Sequence, residues 1–186
     1  MDRFLSGTEI LIDDAGWGDL ILGVVIGALQ LPSHKYMGRR IPVSSFQSPN
    51  FENKKYLDDA VKIAEEIVQV MRPDWETRFK VCTGYVLSGI REYLRKRGFS
   101  VQEAKITGEL QEMVERSYRR WCIEVGVQAE TLEGKRRFWT LLEWVAEKPE
   151  LREKLVKTGW KSWKQKWRAK AFQKPDRSMT NVTQET

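Results

Sequence analysis

Hydrophobic positions in the first third of the chain alternate or run together; they do not recur at helical spacing. Residues 8–16 (Thr-Glu-Ile-Leu-Ile-Asp-Asp-Ala-Gly) predict a strand. Residues 20–29 (Leu-Ile-Leu-Gly-Val-Val-Ile-Gly-Ala-Leu) predict a second, joined to the first by a short turn through Gly16 and Gly18. The second run is almost wholly apolar, which predicts a strand covered on both faces. Arg39 to Phe46 predicts a third strand, at an edge because Pro42 has no N–H for a ladder.

The period then changes. Leu57, Val61, Ala64, Ile67, Val68 and Met71 fall at helical spacing and predict a helix over residues 54–71, capped by Asn50 or Asn53 and stopped before Pro73. Residues 78–83 predict a short strand, 84–98 a helix closed by Gly98, and 99–106 another strand. Residues 107–125 predict a long amphipathic helix that starts at a Thr107 cap and ends at Gly126. From Glu133 the pattern is helical, interrupted at Pro149 and Gly159; Pro175 to Thr186 is polar and predicts disorder.

The predicted fold class is therefore α/β. A mixed five-stranded sheet, three antiparallel strands followed by strand–helix alternation, carries a C-terminal helical extension. The expected division is an α/β domain over 1–127, a helical extension with a basic, Trp-rich end over 128–174, and a tail over 175–186.

Composition mainly excludes. With 41% hydrophobic residues the chain can build a core, and its longest apolar run, Leu20 to Leu31, is too short and too interrupted to span a bilayer. The opening residues, Met1-Asp-Arg-Phe-Leu-Ser-Gly, do not form a signal sequence, so a cytoplasmic protein is expected. Cys82 and Cys122 lie in apolar surroundings and predict buried free thiols. His34 is the only histidine, which argues against paired-histidine zinc sites and Ser-His-Asp hydrolysis. Chemistry in this chain has to rest on carboxylates, lysines or thiols. The Gly16-Trp17-Gly18 turn lacks the spacing of a nucleotide-binding loop, which ranks a small-molecule enzyme last.

Charge is concentrated at one end. Residues 157–186 hold eight basic and two acidic side chains, a net of +6, which equals the whole-chain excess of 32 basic over 26 acidic. Trp160, Trp163 and Trp167 share one helical face there, and Phe138, Trp139, Leu142 and Val145 form a similar stripe upstream. Both stripes suit core packing. The basic residues around the terminal stripe also suit a phosphate backbone, an anionic membrane surface or an acidic protein partner. Nucleic acid, DNA or RNA, is the preferred partner, with Lys157, Lys161, Trp163, Lys164, Lys166, Trp167, Arg168 and Lys170 as the candidate contacts.

Asp13 and Asp14 close the first apolar run, with Asp19 shortly after. A carboxylate at the end of a buried strand is costly unless it is paired or used. Shaping the turn before Gly16 is the plainer alternative. The element order, together with the Ile12-Asp13 end of the first strand, resembles the ribonuclease H-like superfamily, including its Holliday-junction-resolvase branch, over residues 8–125. The resemblance implies a nucleic-acid-acting protein, a possible Mg²⁺- or Mn²⁺-dependent nuclease whose hard carboxylate ligands hold the ion for water attack on a phosphodiester.

On that basis Asp13, Asp14, Glu109 and Glu112 are the candidate catalytic residues, with Asp13 and Glu109 as metal ligands. Glu65 or Glu66 is a further carboxylate the resemblance can use. Glu109 and Glu112 are equally read as solvated helix charges. One departure stands out: the fourth strand, Phe79 to Gly84, has no carboxylate where many active members have one. The alternative is a non-catalytic adaptor that uses the α/β domain as a scaffold and the basic helix to bind nucleic acid, protein or membrane.

Overall fold

The computed structural model describes residues 7–134 and 136–173. The expected tail over 175–186 and the end of the extension at Lys174 lie outside the described residues.

Five strands form one mixed sheet in the order β3-β2-β1-β4-β5: β1 (Glu9–Ala15), β2 (Val24–Leu31), β3 (Lys35–Ile41), β4 (Arg78–Val81) and β5 (Ser100–Glu103). The first three are antiparallel, while β4 and β5 run parallel to β1 and to each other. Helix α1 (Lys55–Met71) joins β3 to β4, α2 (Ser88–Lys96) joins β4 to β5, and α3 (Glu109–Glu124) follows β5.

The strand pleat sorts the core into two layers. Ile10 and Ile12 pack with Ile63, Ile67, Ile90 and Leu94 of α1 and α2. Ala15, Val25 and Leu29 face the opposite side, with Leu110, Val114, Tyr118 and Cys122 of α3. Each buried Ile, Leu or Val among these contributes about 1.5–3 kcal/mol relative to its exposed state. β1 takes the middle of the sheet and β2 lies beside it, buried on both faces as its apolar run predicts. A Cβ on Gly27 of β2 would collide with Val114, so glycine there lets α3 lie close to the sheet.

Several boundaries differ from the sequence expectation: the strand expected over 99–106 covers only Ser100–Glu103, and the helix expected over 84–98 opens with a 3₁₀ turn at Tyr85–Leu87. Residues 20–23 leave the ladder because they serve another partner: Ile21 forms an isolated bridge with Val156, and Leu22 N donates to Leu155 O at 2.7 Å. The third strand begins at Lys35, since a tight turn lets Gln30 pair directly with Lys35, and it ends at Ile41, before Pro42 and the 3₁₀ turn Val43–Phe46. The predicted caps are unused as well. Asn50 Nδ2 donates to Ser44 O, and α3 begins after Gly108 at φ +80° with no side-chain cap.

The extension adds α4 (Arg137–Glu147), α5 (Pro149–Arg152), a π turn over Trp163–Trp167 and α6 (Arg168–Phe172). Leu141, Leu142, Val145, Val156 and Trp163 share one buried cluster with α3 and the residues just after β1. No helix among the described residues is long and apolar enough to cross a membrane.

Candidate functional site

Open α/β sheets present binding crevices at the carboxyl ends of their parallel strands, where neighbouring connections diverge. Here that place lies at the ends of β1 and β4. Asp13 and Asp14 close β1, and Cys82 and Gly84 follow β4, with Cys82 N donating to Ile12 O at 2.9 Å. The two aspartates leave the strand on opposite faces, Asp13 on the side of Leu11 and Ala15, Asp14 on the side of Ile10 and Ile12.

Asp13 is only 5% exposed. Burial raises its pKa, while the Cys82 thiol and the Asp14 backbone oppose the rise through hydrogen bonds. Asp14 packs against the backbone of Gly84, where a Cβ would stand 2.7 Å from its Oδ1. Burial pushes the Asp14 carboxyl up to about 7; repulsion from Asp13 adds to this and the Lys157 ammonium opposes it. Burial also raises the Cys82 thiol, so it stays protonated beside the carboxylates.

The α3 carboxylate in this neighbourhood is Glu115, which the sequence reading missed. Asp13 pairs with Gly27 across β1 and β2, and Gly27 meets Val114, so the height of Asp13 falls at the middle of α3. Glu115 follows Val114 directly and repels both aspartates. Glu109 sits a turn and a half nearer the helix start, where its carboxylate meets His34 Nδ1 at 2.9 Å. Glu112 points outward and lines a hollow with Arg116 and Arg119. Glu66 is held by Arg39 at 2.6 Å at the β3 edge, and Glu65 is exposed. Register, not helical spacing, selects Glu115, and Gly27 opposite Asp13 was the signal in the sequence that could have found it.

A cleft of about 630 Å³ opens over this region, lined by Asp14, the Gly16–Asp19 turn, Gln111, Glu115, Arg119, Arg137 and Phe138. Asp19, 6% exposed, is paired with Arg137 at 2.6 Å, and Arg137 also holds Glu115 at 2.7 Å. These two hydrogen-bonded carboxylates hold the guanidinium firmly protonated.

Of the basic residues at the C-terminal end, Lys161, Lys164, Lys166, Arg168 and Lys170 are exposed, and Lys157 alone departs from the solvated rim expected for it. Lys157 is fully buried. Its ammonium donates to Gly16 O, to Asp19 O at 2.8 Å and to Trp17 O at 3.4 Å, and burial lowers its pKa to about 7. Trp163 is 1% exposed and its indole N–H donates to Glu153. Trp167 packs edge-on against Phe138 and Trp139. Lys164 pairs with Glu52 at 3.0 Å and Arg168 with Glu153 at 2.6 Å. Lys161, Lys166 and Lys170 are exposed, the last two with their ammonium groups over indole rings. Core packing thus accounts for the aromatic stripe, because its face is the one that meets α4 and the sheet.

The donor set does not suit a divalent-metal centre. Among the described residues no three His, Cys, Asp or Glu side chains are grouped to hold an ion. Glu115 is occupied by Arg137, the expected ligand Glu109 is remote, and β4 supplies a protonated thiol instead of a hard oxygen.

No protein-family model matches the chain, and no curated protein matches it. Among solved structures the chain is similar to the catalytic core domain of BIV integrase, at 15% identity over 72% of this chain and 77% of that one, with a TM-score of 0.36. At that TM-score the superposition fixes neither fold family nor activity.

Proposed function

We propose that this chain is a nucleic-acid-acting protein of ribonuclease H-like architecture, which engages a phosphodiester backbone in the cleft beside Asp14. One observation carries the reading: Asp13 and Asp14 are two adjacent carboxylates, largely withdrawn from water, and neither has an ion pair among the described residues. Asp19, a few residues away, is paired. Burying a carboxylate without a counter-charge costs several kcal/mol, about the cost expected at a site kept for chemistry or binding. The sheet order and strand directions are those of the element order on which the resemblance rests.

Arg119 and Arg137 line the same cleft and supply positive charge for a phosphate. Asp14, titrating near neutrality, can give or take a proton at a phosphate oxygen or a water held there. A second reading, binding without cleavage, is favoured by Cys82 at the end of β4 and by the capture of Glu115 by Arg137.

The test is binding and cleavage of labelled single-stranded, duplex and branched DNA and RNA, with Mg²⁺, Mn²⁺ or chelator, for the wild type, Asp13→Asn and Asp14→Asn. Binding of at least one substrate is expected, together with cleavage that both variants lose. Binding with no cleavage under any condition selects the second reading. Failure to bind any of them overturns the proposal.

A further inference from the structure

Helix α3 treats its two kinds of charge unequally. Three of its four carboxylates have partners elsewhere in the fold, Glu109 at His34, Glu115 at Arg137 and Glu124 at Arg40 at 2.7 Å, and only the exposed Glu112 has no ion pair among the described residues. Its arginines under the same comparison have none. Arg116, Arg119 and Arg120 are exposed and have no ion pair among the described residues. Arg119 and Arg120 stand at i+3 and i+4 from Arg116, so each neighbours Arg116 at about 5–6 Å, one to either side of it on the outer half of the helix. The buried stripe of Leu110, Val114, Tyr118 and Cys122 faces the sheet and turns that half outward.

Three hollows border this helix, two of them sharing Gln111, Glu115 and Arg119, and an arginine lines each. Arg116 and Arg119 line one of about 350 Å³ with Gln111, Glu112 and Glu115. Arg119 also lines the 630 Å³ cleft that reaches Asp14. Arg120 lines a third, about 190 Å³, with Tyr36, Arg40 and Ser117. At the C-terminal end Lys157 is buried, Lys164 and Arg168 already have carboxylate partners, and the exposed Lys161, Lys166 and Lys170 line none of these three hollows.

We infer that the outer face of α3, through Arg116, Arg119 and Arg120, is the surface that grips the phosphodiester backbone and leads it to Asp14. The inference rests on the proposed function and moves the polyanion contact from the basic C-terminal end to α3. Guanidinium groups suit the role: each presents a planar fork that bonds two phosphate oxygens at once, and exposed arginines have little other use for it. Fixed partners hold Glu109, Glu115 and Glu124, which leaves Glu112 as the α3 carboxylate that shares a hollow with these arginines without an ion pair of its own among the described residues.

The test compares four proteins: the wild type, the Arg116→Gln/Arg119→Gln/Arg120→Gln variant, the Lys161→Gln/Lys166→Gln/Lys170→Gln variant, and Asp14→Asn. Affinity for labelled single-stranded and duplex nucleic acid is measured across a salt series, with thermal melting to confirm that each folds. Three lost phosphate contacts should flatten the log–log salt slope by about 2.7 on duplex, and the lysine variant should change it by less than one contact's share of about 0.9. Equal slopes for the wild type and the arginine variant overturn the inference but leave the proposed function standing, as does a loss confined to the lysine variant. A wild type that binds none of the nucleic acids, or that binds polyglutamate in their place, overturns the proposed function itself.

Discussion

Arg137 reaches back across 118 residues to Asp19, with Nη2 2.6 Å from Oδ2 and Nε donating to Oδ1 at 2.9 Å. Through this pair and its second bond to Glu115, the start of α4 is clamped to the turn after β1 and to the middle of α3. Glu115 repels Asp13 and Asp14, and Asp19 lines the same cleft as Asp14, so the clamp holds two of the charges that border the site.

Removing one partner of a buried pair strands the other charge. Arg137→Met should destabilise the protein by about 3–5 kcal/mol, and the Asp19→Asn/Arg137→Met double variant should recover much of that loss. Urea melts of the two variants check this; a double variant no more stable than the single would show that packing, not charge, is what Arg137 supplies.

The Asp14 carboxyl, raised to about 7 by burial, ties stability to pH. A raised acid contributes stability that is complete below its unfolded value near 4 and is lost as pH rises through 7. Asp14→Asn should therefore be more stable than the wild type at pH 8, by about 2–4 kcal/mol, with the gap closing near pH 4. Melting temperatures of both proteins across that range give the answer, and a gap that does not change with pH would refute it.

Lys157 has the opposite sign. Its lowered pKa means stability that is present above the unfolded value near 10.5 and is lost as pH falls through about 7. Lys157→Met leaves three backbone carbonyls without their donor and should cost about 1–3 kcal/mol, most evident in alkaline buffer. The deficit should shrink from pH 10 to pH 7 in chemical denaturation, and nucleic-acid affinity at matched stability should not change.

The thiol at the end of β4 makes metal affinity an engineering question. Cys82→Asp would set a hard oxygen beside Asp13, and the new repulsion is relieved by a divalent cation. The variant should melt lower than the wild type in chelator and regain stability with Mn²⁺, whereas the wild type should respond little. An identical Mn²⁺ response from both proteins would mean that Cys82 does not limit the site.

Trp163 offers a check on the aromatic stripe. Fully packed, it should cost about 3–5 kcal/mol when replaced by Ala. A variant with unchanged melting but lost single-strand binding would return this ring to a base-stacking role.

Much of the frame was legible in the chain because burial writes a period into it. The alternation around Ile10 and Ile12 and the helical spacing from Leu57 to Met71 each have one physical cause, a face turned inward. Leu20 to Gly23 misled because these residues are apolar for the sake of Val156, a partner no local pattern can name. Lys35 to Arg40 hid as a strand because an edge next to solvent is polar. Asp13 and Asp14 were conspicuous as charges inside an apolar run. Glu115 was not, since helix spacing treats it no differently from Glu109 or Glu112 until strand register sets the height of Asp13. The Trp160–Trp163–Trp167 spacing was ambiguous in principle, because a core-facing stripe and a ligand-facing stripe have the same period.

The Lys157 ammonium, held by the carbonyls of Gly16, Trp17 and Asp19, has a bearing on biosynthesis. The strand carrying Asp13 and Asp14 leaves the ribosome before the lysine that fixes the turn beyond it, which is made more than a hundred residues later. A nascent chain can pair β1 with β2 early and still lack a formed cleft. The carboxylates come under control only when translation has passed Lys157, so an interrupted or clipped product carries the acidic residues without the geometry to use them.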